Sequence, residues 1–397
     1  MKLKTVSLVV SAIISSSAFA ASGYQYSDGL EIKLSDENKN ASIIKRPNFS
    51  WPTLIIEKPD SNNISHNKFD KFNVSDNGLY INNRKGASVI INEVVSDSSS
   101  VLKSDIMITN GKADLIIANP NGITCNGCST TNALHTTFIA AKITKDSVKD
   151  EPETYKSVDG KIEIINSSKV VTDKNNKLSL IANKISVINS NIIASEVNID
   201  LLKTEKYKPH HTGEYIEETI ITRGDSYTRT EEIIQKERTP SELFIDEKSS
   251  FDKIDVLNIN SNFGIINNNG NLSSKRINLN SDYSTFNNNG KISSYKLDAT
   301  LNSSTLHNAG LIYGGLFNLN AKELPYRGYL DPTYSYILYF EEKTYYNSLL
   351  ALINNGNIDA GINMTLNNID AKNNGVMKVI NKSFLHGSAR FNDSTKL

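Results

Sequence analysis

The sequence lacks several features that define common protein classes. Its 397 residues include 43 basic and 43 acidic side chains, so it carries no formal net charge at pH 7. A neutral chain has no bulk attraction to nucleic acid or anionic lipid, and we expect no nucleic-acid partner. The mature sequence has no apolar run of about 18 residues, which excludes a membrane-embedded helical protein. The 2 cysteines can form at most one local bridge, so buried apolar side chains must hold the fold together.

Motifs of common enzyme sites are also missing. We find no Gly-x-Ser-x-Gly, no phosphate-binding loop and no His-Glu-x-x-His. His210 and His211 are adjacent, and neighbouring side chains on a strand point to opposite faces, so a solvated loop is favoured over a metal site. No carboxylates cluster with basic residues as a polysaccharide-cleaving enzyme would require. We therefore expect no enzyme, no metal and no cofactor.

The N-terminal segment, residues 1–20, has the pattern of a secretory signal peptide. Two early lysines precede an apolar run at 6–14, and small residues end in an Ala-x-Ala site at Ala20. The apolar run is too short for the alternative, an N-terminal membrane anchor. The pattern predicts passage through the general secretory machinery, cleavage after Ala20 and an oxidising destination.

A repeat of 20 residues dominates the chain after Asp252. Apolar residues and glycines recur in columns at this spacing. The columns are Leu257, Ile277, Leu297 and Phe317; Ile266, Phe286 and Leu306; Gly270, Gly290 and Gly310; and Leu272, Ile292 and Ile312. The unit returns around Gly356 and Gly375. So short a period is too tight for paired helices and predicts one coil of a β-solenoid per repeat.

The repeat also predicts how neighbouring coils contact each other. Strands of successive coils pair about 4.8 Å apart, so equivalent apolar residues stack inside. We expect 267–270 and 287–290 to form corners with positive φ, which Gly and Asn tolerate best. Stacked asparagines can hydrogen-bond along the axis. A disordered Asn-rich tract is the alternative, but it would not keep apolar residues in register.

Two segments interrupt the strand-rich pattern. The first, about 202–248, alternates polar and apolar residues on both sides of Gly224-Asp225, which predicts a β-hairpin standing outside the coil. The second, about 323–346, is rich in tyrosine. Its tyrosines could form a recognition surface or pack over the edge of a coil.

Three upstream segments carry a resemblance to a known family. They are Asn67–Asn83, Ala87–Val94 and Ala118–Ser129. Together they resemble the secretion domain at the N-terminus of two-partner secretion exoproteins, the group of filamentous haemagglutinin, haemolysin and contact-dependent inhibition proteins. The residues identified with the family's secretion motif are Asn92, Glu93, Asn119, Pro120, Asn121, Gly122 and Ile123.

The resemblance implies an all-β chain folded as a right-handed, single-stranded parallel β-helix with an N-terminal cap and extra-helical hairpin insertions. After the signal peptide, the secretion domain would cover 21–320 and further coils 321–397. A dedicated outer-membrane transporter would recognise the domain, and the unfolded chain would pass through the periplasm and outer membrane of a Gram-negative cell to the surface. Adhesion to a host or bacterial receptor is the expected role. A haemolysin or a toxin-delivery protein of contact-dependent growth inhibition, or its truncated secretion domain, is the alternative.

The segment Asn119–Ile123 has two interpretations. Proline fixes φ and Asn-Gly favours a tight turn, so the segment is expected to form a corner of the β-helix. Direct contact with the transporter is the second possibility. Both are compatible with the sequence.

Cys125 and Cys128 could form a bridge, a redox pair or half of a zinc site. A second cysteine pair to complete a zinc site is missing, and thioredoxin-like chemistry needs a helix start that the pattern does not predict. In an exported protein a small-loop disulfide between them is therefore expected.

Overall fold

The computed structural model describes residues 20–45, 51–143, 160–202, 207–222, 225–238, 240–322, 351–367, 369–379 and 390–391. Every regular element in these ranges is a β-strand, which confirms the all-β prediction. The same ranges contain no helix able to cross a membrane. The predicted signal peptide up to residue 19 and the tyrosine-rich segment 323–346 lie outside the described residues.

The strands before the hairpin are mostly short. They are β1 (Ala20–Ala21), β2 (Gly23–Gln25), β3 (Glu31–Leu34), β4 (Ser42–Ile44), β5 (Thr53–Ile55), β6 (Ile64–Phe72), β7 (Leu79–Asn82), β8 (Val89–Val94), β9 (Ser100–Leu102), β10 (Asp105–Thr109), β11 (Ala113–Ala118), β12 (Ile123–Asn126), β13 (Ser129–Thr131), β14 (Ala133–Ile139), β15 (Lys161–Ile165), β16 (Lys177–Ala182), β17 (Lys184–Ile188), β18 (Asn191–Ile192) and β19 (Glu196–Leu201).

From the hairpin onward, long and short strands alternate. They are β20 (Tyr207–Thr222), β21 (Asp225–Arg238), β22 (Ser241–Ile245), β23 (Ser250–Asn262), β24 (Gly264–Asn268), β25 (Asn271–Asp282), β26 (Thr285–Asn288), β27 (Lys291–Asn302), β28 (Thr305–Asn308), β29 (Leu311–Lys322), β30 (Leu352–Asn354), β31 (Asn357–Asn367), β32 (Asp370–Asn373), β33 (Val376–Val379) and β34 (Arg390–Phe391).

Pairing between successive coils joins these strands into three long sheets. Sheet A has the order β1-β4-β5-β7-β10-β13. Sheet B runs β2-β3-β6-β8-β11-β14-β16-β19-β23-β25-β27-β29-β31-β33, with β18 beside β23, and sheet C runs from β9 through β12, β15, β17, β22, β24, β26, β28, β30 and β32 to β34. Beyond the first strands all pairs within these sheets are parallel, so the chain winds as the predicted parallel β-helix.

Antiparallel strands close the N-terminal end. Strand β4 pairs antiparallel with β1 and β5, and β3 pairs antiparallel with β2 and β6. From β5 and β6 onward each sheet continues with parallel partners. The predicted cap is therefore present, and it covers backbone groups that the first coil would otherwise leave as an open edge.

Identical positions stack along the interior as the repeat predicts. Leu257 pairs in register with Ile277, which pairs with Leu297, and each is at most 3% exposed. The long strands of sheet B bend once, and on β25 the consecutive residues Lys275 and Arg276 both face outward at this bend. One strand thus lines two faces of the coil, and its inward side chains keep a period of two on either side of the bend.

Asparagines form hydrogen-bonded rows along the axis, as expected. In the interior row each side-chain amide donates to the next coil toward the C-terminus, in the order Asn268, Asn288, Asn308, Asn354 and Asn373, over 2.6 to 2.8 Å. A row on the outer face of sheet B runs in the opposite sense. There Asn278 donates to Asn258 over 2.7 Å and Asn258 donates to Asn198 over 2.6 Å.

The glycine column has a different cause from the one the sequence suggested. Gly270, Gly290 and Gly310 do not have positive φ. The left-handed residues of these coils are Lys253 (φ 57°), Phe263 (φ 62°), Tyr283 (φ 48°) and Ser303 (φ 44°). A Cβ on Gly290 would lie 2.1 Å from the carbonyl oxygen of Gly270. The prediction of positive φ at these glycines is wrong, and close contact between backbones of adjacent coils explains them instead.

The hairpin predicted around Gly224-Asp225 is present. Strands β20 and β21 pair antiparallel in a two-stranded sheet of their own, with Thr222 opposite Asp225. An irregularity between His211 and Tyr215 interrupts the ladder. His210 and His211 belong to β20, so the expectation that they lie in a loop is wrong: their backbone pairs with β21.

Replacing Gly290 by alanine should destabilise the coil by about 3 kcal/mol or more, because the added Cβ would meet backbone atoms that cannot move without shifting two coils. Gly314→Ala is the matched control, since the nearest atoms to its Cβ would be 3.6 Å away. We expect that control to change the free energy of unfolding by less than about 1 kcal/mol. Urea denaturation followed by circular dichroism measures both, and equal midpoints for the two variants would refute the explanation.

Candidate functional site

The motif residues Asn119–Gly122 form the corner between β11 in sheet B and β12 in sheet C. The backbone N–H of Gly122 donates to the carbonyl of Asn119 over 3.0 Å, which closes a tight turn. Gly122 has φ 110°, so this position does require a residue without a side chain. The predicted corner is thus where the sequence placed it.

The side chain of Asn119 fastens this turn to the previous coil. It is fully buried, and its Nδ2 donates to the carbonyl of Ser98 and to Oγ of Ser100, each over 2.9 Å. Its Oδ1 accepts from the backbone N–H of Asn121 over 2.9 Å. The Asn121 amide in turn donates to the carbonyl of Ser96 over 2.6 Å. Residues 96–100, which we call the serine segment, therefore hold the corner from one side.

The following coil holds the corner from the other side. A Cβ on Gly160 would lie 2.5 Å from the carbonyl oxygen of Pro120, and one on Gly122 would lie 3.1 Å from that of Lys161. Pro120 is buried as well, whereas Asn121 is partly exposed. The side chains of Asn119 and Pro120 consequently shape the coil, and a partner could reach this turn mainly through Asn121.

Asn92 and Glu93 lie on the neighbouring strand β8. Asn92 points into the coil and is fully buried, where its Oδ1 accepts from Nδ2 of Asn67 over 3.2 Å. Asn67 also accepts from the backbone N–H of Glu57 over 2.7 Å. Among the described residues the Nδ2 of Asn92 has no hydrogen-bond partner. An unpaired buried donor lowers the free energy of unfolding by about 1 to 3 kcal/mol, so this amide pair destabilises the apolar core around it.

Glu93 faces outward and brings the two halves of the motif together. It pairs in register with Ala118, the residue directly before the corner, and its Oε2 lies 2.7 Å from Nε2 of His66. The structure thus places Asn92, Glu93 and the Asn119 turn at one end of sheet B. Sequence reasoning did not single out His66, or Asn67 as the partner of Asn92.

Sheet B near this corner is apolar on both faces. Its outer face carries a second hydrophobic cluster, separate from the main core. The cluster consists of Ala118, Ile139, Ala141, Ile181 and Leu202, none of them more than 8% exposed. Such two-sided burial is typical of covered parallel strands. The available signal was the unbroken apolar run at the end of β11, where simple alternation would have placed a polar residue.

The next corner, between β12 and β13, brings together Cys125 on β12 and Cys128, which directly precedes β13. The structure joins them by a disulfide with a Cα–Cα distance of 5.0 Å, and both are buried within the main core. Gly127, with φ 78°, makes the turn possible, and its backbone N–H donates to the carbonyl of Ile165 over 2.9 Å. No cluster of three or more metal-ligating side chains occurs in the part of the chain that the structure describes.

His135 lies on β14, four residues before Ile139 of the outer cluster. Its Nε2 is 2.8 Å from Oγ of Ser179. Burial lowers the pKa of His135 below its ordinary value of 6.5; Lys177 acts in the same direction, while Asp114 and Glu196 oppose it. The folded chain therefore favours the neutral imidazole on this face of sheet B.

Comparison with known proteins decides the family. The pattern described as the TPS secretion domain, for two-partner secretion, matches residues 33–294, about two thirds of the chain and the whole of the corner described above. The chain belongs to the TPS secretion domain family. Exoproteins of this family are in general secreted across the outer membrane with a two-partner transporter.

Individual relatives of this TPS secretion domain match over shorter stretches. Filamentous hemagglutinin of Bordetella pertussis is 37% identical over 110 residues, 23% of this chain and 3% of that protein. Toxin CdiA of Yersinia pestis is 31% identical over 182 residues, 41% of this chain and 5% of that protein. Hemolysin of Serratia marcescens is 33% identical over 104 residues, 21% of this chain and 6% of that protein. The chain thus covers only a small part of the length of these relatives.

Two solved secretion domains are also similar to this chain. The filamentous hemagglutinin secretion domain is 21% identical, with a TM-score of 0.36, over 72% of this chain and 94% of that one. The HMW1 secretion domain from Haemophilus influenzae is 11% identical, with a TM-score of 0.33, over 94% and 98%.

Because the fold keeps His135 neutral, acid should destabilise this TPS secretion domain. Below about pH 6.5 the unfolded chain binds a proton at this residue that the folded chain resists, so stability is present above that pH and is lost as the pH falls through the lowered pKa. We expect a lower urea midpoint at pH 5.5 than at pH 7.5, and a smaller difference for His135→Gln. The same pH dependence in both proteins would show that His135 is not responsible.

Proposed function

We propose that this chain is a secreted, haemagglutinin-like exoprotein whose N-terminal coils are recognised by a dedicated outer-membrane transporter and which serves in surface adhesion. One observation carries the proposal: the TPS secretion domain match, residues 33–294, includes the corner at Asn119 and the coils on either side of it. The predicted signal peptide at 1–20 supports delivery by the general secretory machinery into the periplasm. Within this proposal the chain has no catalytic role.

The architecture supports export in an unfolded state. Contacts in a parallel coil are mostly between neighbouring turns, so folding can proceed coil by coil from the segment that emerges first. The disulfide between Cys125 and Cys128 closes a loop of sequence separation 3 and ties no distant parts of the chain together. A chain with this linkage can still pass through a pore in extended form.

Recognition would depend on the shape of the coil more than on the buried motif side chains. Asn119 and Pro120 are buried, while Asn121, Glu93 and His66 keep some exposure at the same end of sheet B. We propose that the transporter contacts this exposed rim and that Asn119 positions it. The hydrogen bonds from Asn119 and Asn121 to the serine segment support this division of roles.

A toxin-delivery or haemolytic exoprotein is the second candidate. It is favoured by the match to Toxin CdiA of Yersinia pestis, which extends over 182 residues. Adhesion and toxin delivery share the export step and differ in what happens at the target cell. Adherence of bacteria expressing this protein, measured beside lysis and growth inhibition of neighbouring cells, distinguishes them.

Replacing Asn119 by isoleucine should reduce secretion at least about tenfold, because the buried amide loses all its bonds to the serine segment and the corner can no longer hold its shape. The measurement is co-expression with the partner transporter, followed by immunoblots of medium and periplasm. We expect precursor to accumulate in the periplasm.

Asn354→Ile is the matched control for that experiment. It also removes a fully buried asparagine, one that bonds to Asn308 and Asn373, but it lies outside the matched range of 33–294. Its export should stay within about twofold of wild type, since the corner is intact. Equal secretion of Asn119→Ile and wild type would remove the support for recognition at this end of the coil.

A further inference from the structure

The strict repeat makes one local departure easy to see. At the bend of the long strands, β29 has Tyr313 where the two preceding coils have Ser293 and Ser273. Tyr295 occupies a position that is Lys275 one coil earlier and Gly315 one coil later. These changes are confined to the outer surface, because the inward residues of the same strands continue the apolar columns.

The next coil departs from the repeat at the same place. Between β29 and β31 the register shifts after Gly314, so that one extra residue is accommodated around Gly361 and Ile362. A bulge of this kind redirects side chains at a sheet surface and is common beside binding sites. The departures on three successive coils therefore converge on one patch.

The patch presents two aromatic side chains to solvent. Tyr295 is 64% exposed and Tyr313 is 48% exposed, and Ile362 beside them is 41% exposed. In the part of the chain that the structure describes, exposed large hydrophobic side chains are few, and these three lie on adjacent coils. Because these three side chains are exposed to solvent, packing of the core does not account for them.

Glycines form the floor beneath these side chains. A Cβ on Gly315 would lie 3.4 Å from the ring of Tyr295 and 3.4 Å from Cδ1 of Ile362. These two side chains therefore lie next to the outer face of Gly315. A Cβ on Gly361 would lie 3.8 Å from the hydroxyl oxygen of Tyr313. We call these five residues, Tyr295, Tyr313, Gly315, Gly361 and Ile362, the tyrosine platform.

The size of the platform argues against a protein partner. The two tyrosines and Ile362 offer roughly 300 Å² of apolar and aromatic surface at these exposures. A specific protein interface buries about 800 Å² on each side, well above that area.

The chemistry of the platform fits a sugar. A pyranose ring has an apolar C–H face that can lie on an aromatic ring, and its hydroxyl groups require hydrogen-bond partners around the edge. Asp359 pairs in register with Tyr313 on one side and Ser293 pairs with it on the other, and both face outward with partial exposure. Tyr313 adds its own hydroxyl group.

We propose that the tyrosine platform binds a neutral oligosaccharide, with sugar rings on Tyr295 and Tyr313 and with hydroxyl groups bonded to Asp359 and Ser293. The inference rests on the proposed adhesive function and names the chemical class of its receptor. It assigns the contact to coils beyond residue 294 for the most part, separate from the corner at Asn119 that serves export.

Isothermal titration of the purified full chain with cellohexaose, chitohexaose and maltohexaose tests the proposal, with a heparin hexasaccharide as the polyanionic comparison. We expect saturable binding of at least one of the three neutral sugars. Tyr295→Ala and Tyr313→Ala should each weaken it at least about tenfold, because each removes one stacking surface. Tyr313→Phe, which keeps the ring, should retain most of the affinity.

Ile265→Ala is the matched control, since Ile265 is an exposed hydrophobic residue (37%) on sheet C. This variant should bind the neutral sugar with the affinity of wild type. Circular dichroism verifies that each variant is folded. The proposal is overturned if none of the three neutral sugars binds or if only the heparin fragment binds. It is also overturned if the variant that carries both Tyr295→Ala and Tyr313→Ala keeps the affinity of wild type. A change in sedimentation coefficient in that variant, without sugar binding, also overturns it and assigns the platform to self-association.

The titration uses purified protein and is independent of export. A chain that is secreted and supports adherence but binds no neutral sugar would overturn the platform and leave the proposed function standing. A chain that binds sugar but is not exported with its transporter would support the platform and overturn the proposed route.

Discussion

Hydrogen bonding between successive coils, with equivalent residues directly in register, is the constraint on which the rest of this structure depends. Once Leu257, Ile277 and Leu297 share a column, each inward position must suit the same position one turn away. The rule applies to polar residues as well. An asparagine is stable inside the coil when another asparagine follows it, because one amide supplies what the next requires.

The same constraint limits where variation can occur. Inward positions are held by two neighbouring coils, so changes are tolerated on outer faces and in insertions such as the hairpin β20–β21. The tyrosine platform is a result of that freedom, whereas the corner at Asn119 is held by both neighbouring coils. The corner and the platform lie on different coils, so the proposed export contact and the proposed sugar contact can be altered separately.

The sequence predicted the coil well because its period is constant. Columns such as Ile266 and Phe286 are visible without a structure, since 20 residues always complete one turn in that region. The contacts around the export motif could not be predicted in this way. Asn67 and Asn92 are separated by 25 residues in coils of irregular length. The hydrogen bonds between Asn119 and the serine segment follow no repeat in the sequence.

Glycines show a second limit of prediction from sequence. A glycine can be required by positive φ, as at Gly122, or by the closeness of another backbone, as at Gly290. Both requirements leave the same letter in the sequence. The left-handed positions of the regular coils include Phe263 and Tyr283, residues that propensity alone would place elsewhere.

The interior asparagine row has a beginning that costs free energy. Its first member, Asn268, stacks on Ile245, whose side chain has no hydrogen-bond donor. The Oδ1 of Asn268 therefore has no hydrogen-bond partner among the described residues. That loss is incurred once, whereas each added asparagine brings a satisfied bond. One long uninterrupted row is therefore thermodynamically favoured over several short rows. Lengthening the β-helix by a whole turn extends the row by one hydrogen bond and adds no second unpaired amide.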